Sequence, residues 1–97
     1  MQLTLVKNTN ESKMILYKLA RIVYAETNAS SLLVVEALIS MILNCCVMTK
    51  RKLTEIIKDE NIFESLNKNS DRYKNLFVDT NQRGFQMCLR TDRKSVV

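Results

Sequence analysis

Apolar and polar positions recur along the chain with the period of an α-helix. Ile15, Leu19, Ile22 and Glu26 follow one another at spacings of four, three and four, which puts them on one face of a helix. Asn10 or Ser12 can cap that helix, with Glu11 favourably placed in its first turn. Thr27-Asn28-Ala29-Ser30 breaks the pattern, and Asn28 or Ser30 can cap a second helix, packed beside the first because the link is so short. From Leu32 to Met48 the chain is apolar except for Glu36, Ser40 and Asn44, which recur every four residues as one polar line. This apolar cylinder is predicted to be the central helix of the domain. Its polar line is either the only solvated strip or the wall of a cleft that Glu26 also faces. Seventeen residues interrupted by a charge and an amide fall short of the ~20 apolar residues that a bilayer requires, so no membrane span is expected.

The second half is more broken. Thr49 to Lys58 reads as a short amphipathic helix with Leu53, Ile56 and Ile57 inward and its basic residues outward. Asn61 to Leu66 reads as a turn anchored by a buried Phe63, and Asn67 to Asn69 as polar loop. Ser70 or Asp71 can cap a short helical stretch through Phe77. Thr80 or Asn81 can cap a last helix whose Phe85, Cys88 and Leu89 share a face, with Gly84 weakening it by about 1 kcal/mol relative to Ala. Residues 1–9 read as a short arm. No repeat or boundary divides the 97 residues, which form one mainly α domain near the lower size limit for a self-sufficient core.

Composition narrows the chemistry. One glycine and no proline reinforce the helical reading, and 46% apolar residues indicate a folded chain. The three cysteines lack metal-ligand spacing and read as core thiols. Without histidine there is no Ser-His or Cys-His nucleophile pair and no His-based metal site, so neither metal nor cofactor is expected and carboxylate chemistry remains. Glu26 stands out here. At the end of an apolar stripe, partial desolvation and the negative end of the helix dipole both disfavour a charged carboxylate, which is the condition of a general acid. The plain alternative is a solvated last-turn glutamate.

The net charge of +5 is uneven, with four basic and three acidic side chains in residues 1–48 against eleven and seven in 49–97. That excess suits an anionic partner, whether nucleic acid, membrane surface or cell wall. Lys50-Arg51-Lys52 and the basic residues of 83–94 are its candidates, although three basic residues at a helix start also make an ordinary solvated face. Met1 to Lys7 has neither a basic leader nor an adequate apolar run, so no signal peptide is expected and the chain as written is cytoplasmic, reaching a periplasmic or external wall only by another route.

Leu19-Ala-Arg-Ile-Val-Tyr24-Ala-Glu26, the long apolar helix closing on Leu43-Asn44, the Leu53-Thr-Glu-Ile-Ile57 helix and the Ile62-Phe63-Glu-Ser65 turn together resemble the SleB-type cell-wall hydrolases, the spore-cortex-lytic enzymes among them. The resemblance covers about residues 14–90. It implies a lysozyme-like helical domain that cleaves the glycan strand of peptidoglycan between N-acetylmuramic acid and N-acetylglucosamine, as a lytic transglycosylase or muramidase, with Glu26 as catalytic acid. Tyr24 and Asn44 match family positions around the cleft, Phe63 matches the substrate-side turn, and Glu36 is the in-sequence candidate for a second carboxylate if hydrolysis operates. The family usually has Ala-Arg after the acid, Arg after the helix-ending Asn and Gln before the Phe of the turn, where this chain has Thr27-Asn28, Cys45 and Ile62. The family also continues into a glycine-rich region beyond the last helix, so the resemblance implies a domain incomplete at its C-terminal end, with weak or lost activity. The expectation from a different class is a non-catalytic basic helical module that binds nucleic acid or an anionic wall polymer.

Overall fold

The structure, a computed structural model, describes residues 9–96 and is mainly helical. In chain order it comprises α1 (Thr9–Thr27), α2 (Leu32–Thr49), α3 (Leu53–Ile56), the 3-10 turns η1 (Glu64–Leu66) and η2 (Tyr73–Phe77), and α4 (Arg83–Val96). The expected arm falls outside the described residues apart from Thr9. Because α1 is already helical at Thr9, Asn10 and Ser12 lie within it rather than at its cap.

The central helix is α1, not α2. From Ile15 to Thr27 only Lys18 is exposed, and α1 touches α2, η1, η2 and α4. Leu19, Ala20, Val23 and Ala25 have no exposed surface, the two alanines allowing neighbours to approach closely. The long α2 buries only Val35, Ile39, Ile42 and Cys46, a single stripe at spacings of four, three and four turned toward the core. Leu33, Met41 and Met48 on its outer side are 77%, 53% and 84% exposed. The expectation of a central α2 fails because apolar content measures what a helix prefers to bury, while its position depends on which faces the rest of the chain can cover. By length and hydropathy alone α2 could cross a membrane, but one such helix is equally a surface or core helix of a helical domain.

Each helix ends on local chemistry. Thr27 Oγ1 donates to Val23 O at 2.7 Å and accepts from Ala29 N at 3.0 Å, closing α1 as the chain enters left-handed backbone at Asn28 (φ 57°) and Ala29 (φ 52°). The cap of α2 is Ser31, one residue beyond the expected positions, whose hydroxyl accepts from Val34 N at 3.1 Å. Lys50, with φ 55°, ends α2. The short α3 buries Leu53 and Ile56, and Ile57 follows inward, as expected. In the turn before α4 it is Gln82, rather than Thr80 or Asn81, whose side-chain oxygen accepts from Phe85 N at 2.9 Å. Gly84 is more than a weak point. A Cβ there would stand 2.7 Å from the Ala29 Cβ and 3.0 Å from the Tyr24 ring, so glycine is what lets α4 start against the end of α1.

The core joins Phe63, Phe85 and Leu89 to the aliphatic faces of α1 and α2. Cys46 and Cys88 are buried free thiols and Cys45 is half-buried and free, as their helical positions predict. Burial, and next the nearby Asp92, push the Cys88 thiol up to about 12. Asp92 itself is fully buried on α4, both carboxylate oxygens lack a hydrogen-bond partner among the described residues, and burial pushes its pKa up to about 9. A carboxyl raised in the folded state stabilises the fold fully only below its unfolded pKa, near 4, and that contribution is lost as pH rises toward 9. Urea unfolding should therefore show wild-type stability falling between pH 5 and 8, and Asp92→Asn should remove most of that slope. Asp92→Leu should stabilise the fold at pH 8 by on the order of 1–3 kcal/mol. An unchanged pH slope in Asp92→Asn would assign the dependence to another group.

Candidate functional site

Glu26 occupies the last turn of α1 with its side chain 17% exposed. Two groups hold its carboxylate. Ser65 N–H, 39 residues away in the chain, donates to Oε2 at 2.8 Å, and Arg72 Nη1 lies 3.7 Å from Oε1. Arg72 Nη1 also donates to the backbone carbonyl of Glu26 at 2.7 Å, while its Nε pairs with Glu64 Oε2 at 3.1 Å. One guanidinium thus spans two carboxylates and a carbonyl at the negative end of α1. The turn reaches Glu26 because Phe63, 1% exposed, is seated in the core and presses the fully buried Ser65 onto α1. Ser65 Oγ has no hydrogen-bond partner among the described residues.

Of the residues singled out in the sequence, the structure brings together Glu26 and the Phe63-Glu64-Ser65 turn. The others lie elsewhere. Phe63 itself, expected both as the buried anchor of its turn and on the substrate side, is the anchor, and its ring is core rather than at a substrate. Tyr24, two residues before Glu26 and on another face of α1, is half-buried against Gly84 at the start of α4. Glu36, Ser40 and Asn44 are exposed on the outer side of α2, and Ser40 and Asn44 border a shallow depression with Met41 and Met48. Among the described residues, the polar partners of Glu26 come from η1 and Arg72 and none from α2. The polar line is solvated, and it is not the only solvated part of its helix.

Arg72, and the pairing of Glu64 with it, are additions to what the sequence singled out. Glu64 lay inside the turn motif, but Arg72 sits in a polar stretch without periodicity, where the only available hint was that a last-turn glutamate favours a nearby cation. The basic residues divide into two groups. Arg51 is engaged, 3.0 Å from Asp59 and 3.7 Å from Glu55, and its hydrogen bond, with that from Asn61 N–H, holds the Asp59 carboxyl below its ordinary range. Lys50 and Lys52 are exposed. On α4, Arg83, Arg90 and Lys94 share one exposed face at spacings of seven and four, with Arg93 beside them, and among the described residues none makes an ion pair. The only acid on α4, Asp92, is buried on the opposite side. Among the described residues no three His, Cys, Asp or Glu side chains gather as a metal site.

No protein-family model, curated protein or solved structure matches the chain.

The two supports of the Glu26 carboxylate differ in strength. Glu26→Ala leaves the buried Ser65 N–H without its acceptor, costing about 1–3 kcal/mol, whereas Arg72→Ala removes two ion pairs and a hydrogen bond to the Glu26 carbonyl that are all open to water, which replaces them at a cost of about 1 kcal/mol. Urea unfolding of the two variants should show that order. The reverse order would make Arg72 the main fastening.

Proposed function

We propose that this chain is a peptidoglycan-cleaving domain of the lysozyme type in which Glu26 is the general acid. The observation that supports this most is the hydrogen bond from Ser65 N–H to Glu26, because it joins in space two motifs that carry the resemblance and are 39 residues apart in sequence. In the proposed reaction the Glu26 carboxyl protonates the glycosidic oxygen as its bond to the anomeric carbon breaks. The resulting carboxylate then takes the proton of the attacking hydroxyl, from the muramic acid residue in transglycosylation or from water in hydrolysis. Hydrolysis needs a further group to stabilise the oxocarbenium-like centre. Glu64 suits that role better than Glu36, since it shares Arg72 with Glu26. Arg72 lies over the carboxylate with its side chain 46% exposed, and the proposed reaction requires it to move aside for the sugar.

The exposed cationic face of α4 supports a second reading, a module that binds an anionic polymer without catalysis. The two readings separate in one assay. Purified peptidoglycan is incubated with the wild-type chain and with Glu26→Gln, a variant that keeps an acceptor for Ser65 N–H, and the soluble products are analysed by mass spectrometry. The glycan reading requires anhydro-muropeptides or new reducing ends from the wild type and at least a hundredfold less from the variant. Sedimentation with the wall, weakened by salt and without product, supports the polymer-binding reading and ends the catalytic one.

A further inference from the structure

A cavity of about 600 Å³ opens between α1, the turn after α3, and η2, in a part of the molecule that the Glu26 site does not use. Its apolar lining includes Ile22 and Ile57 from the core, Leu66 and Leu76 half-buried above them, and Phe77, 69% exposed. Arg21 forms part of the wall, but its Nη1 is committed to Leu76 O and Val78 O at 3.0 Å each, which ties η2 to α1. The charged rim consists of Lys18 and Lys58, both exposed and unpaired among the described residues, and Glu60. With Arg21, three cations face one carboxylate. A smaller depression of about 150 Å³ borders the same Lys18, Ile57 and Lys58 and reaches Met14, so the two lysines stand between two hollows.

This lining selects its ligand by chemistry. An apolar body excludes free sugars, whose hydroxyls would lose water without gaining partners, and a rim with excess positive charge favours an anionic head group. We propose that the cavity binds an amphiphilic carboxylate with a single apolar chain, its head group between Lys18 and Lys58 and its chain against Ile22, Ile57, Leu76 and Phe77. The site is independent of the glycan reading.

The test is calorimetric titration with dodecanoate below its micellar concentration and with dodecyltrimethylammonium, which has the same chain and the opposite charge. Saturable one-to-one binding of dodecanoate is expected, at least tenfold tighter than that of the cationic probe, and at least tenfold weaker in Lys18→Glu/Lys58→Glu and in Phe77→Ser. All three positions are exposed, and retained circular dichroism would show that the variants fold. Methyl chemical shifts should move at Ile22, Ile57 and Leu76. Equal affinity for the two probes, affinity unchanged in the lysine variant, shifts confined to Met41 and Met48 on α2, or no saturable binding would each overturn the proposal.

Discussion

The fold depends on enclosing α1 on nearly every side. A helix in that position must present apolar surface in several directions and must also satisfy every polar group it carries inward. The sequence of α1 does both. Leu19, Ala20, Ile22, Val23 and Ala25 supply the buried surface, while the polar side chains between them act as fasteners. Arg21 reaches over the Phe85 ring at 5.4 Å and holds two carbonyls around η2, and Glu26 holds the Ser65 amide. None of the residues of η2 is fully buried, so these polar ties do much to hold that segment in place. Fastening by Arg21 and Glu26 explains how a chain with so short an α3 and two 3-10 turns keeps one arrangement between residues 57 and 82.

Much of this was readable in the residues. The mainly α class, the C-terminal end of α1 and the ends of α2 to within a residue or two, the inward Leu53, Ile56 and Ile57, the buried Phe63 and the shared face of Phe85, Cys88 and Leu89 all follow from periodicity and local punctuation. What periodicity could not rank was centrality. The amphipathic α1 carries lysine, arginine and glutamate and reads as more superficial than the nearly uncharged α2, yet its polar residues find partners in the loops that fold over it. α2 keeps an exposed apolar side because nothing in residues 9–96 covers it. Gly84 was legible as a glycine in a helix, but its use, the contact with Ala29 and Tyr24, depends on two elements meeting.

The candidate site shows the same division. A last-turn glutamate on an apolar stripe can be found from spacing alone, and so can a turn with a buried aromatic. Their meeting cannot, because the Glu26 carboxylate and the Ser65 amide are joined by a loop whose path has no periodic signal. The second carboxylate was sought on α2, where Glu36 shares a polar line with Ser40 and Asn44, and the structure instead sets Glu64 near Glu26 through Arg72. Asp92 was missed altogether, since an acid among Arg90, Arg93 and Lys94 reads as part of a solvated charged run, whereas the turn of α4 directs it into the core.

The central claim is that α1, rather than the more apolar α2, is the last element to open. Native-state hydrogen exchange measures this directly, because each amide reports the free energy of the smallest opening that exposes it. The amides from Leu19 to Ala25 should exchange slowest, at the free energy of global unfolding, while those of α2 exchange through a cheaper opening that leaves α1 protected. Exchange in which α2 holds the slowest amides and α1 opens before it would contradict the account.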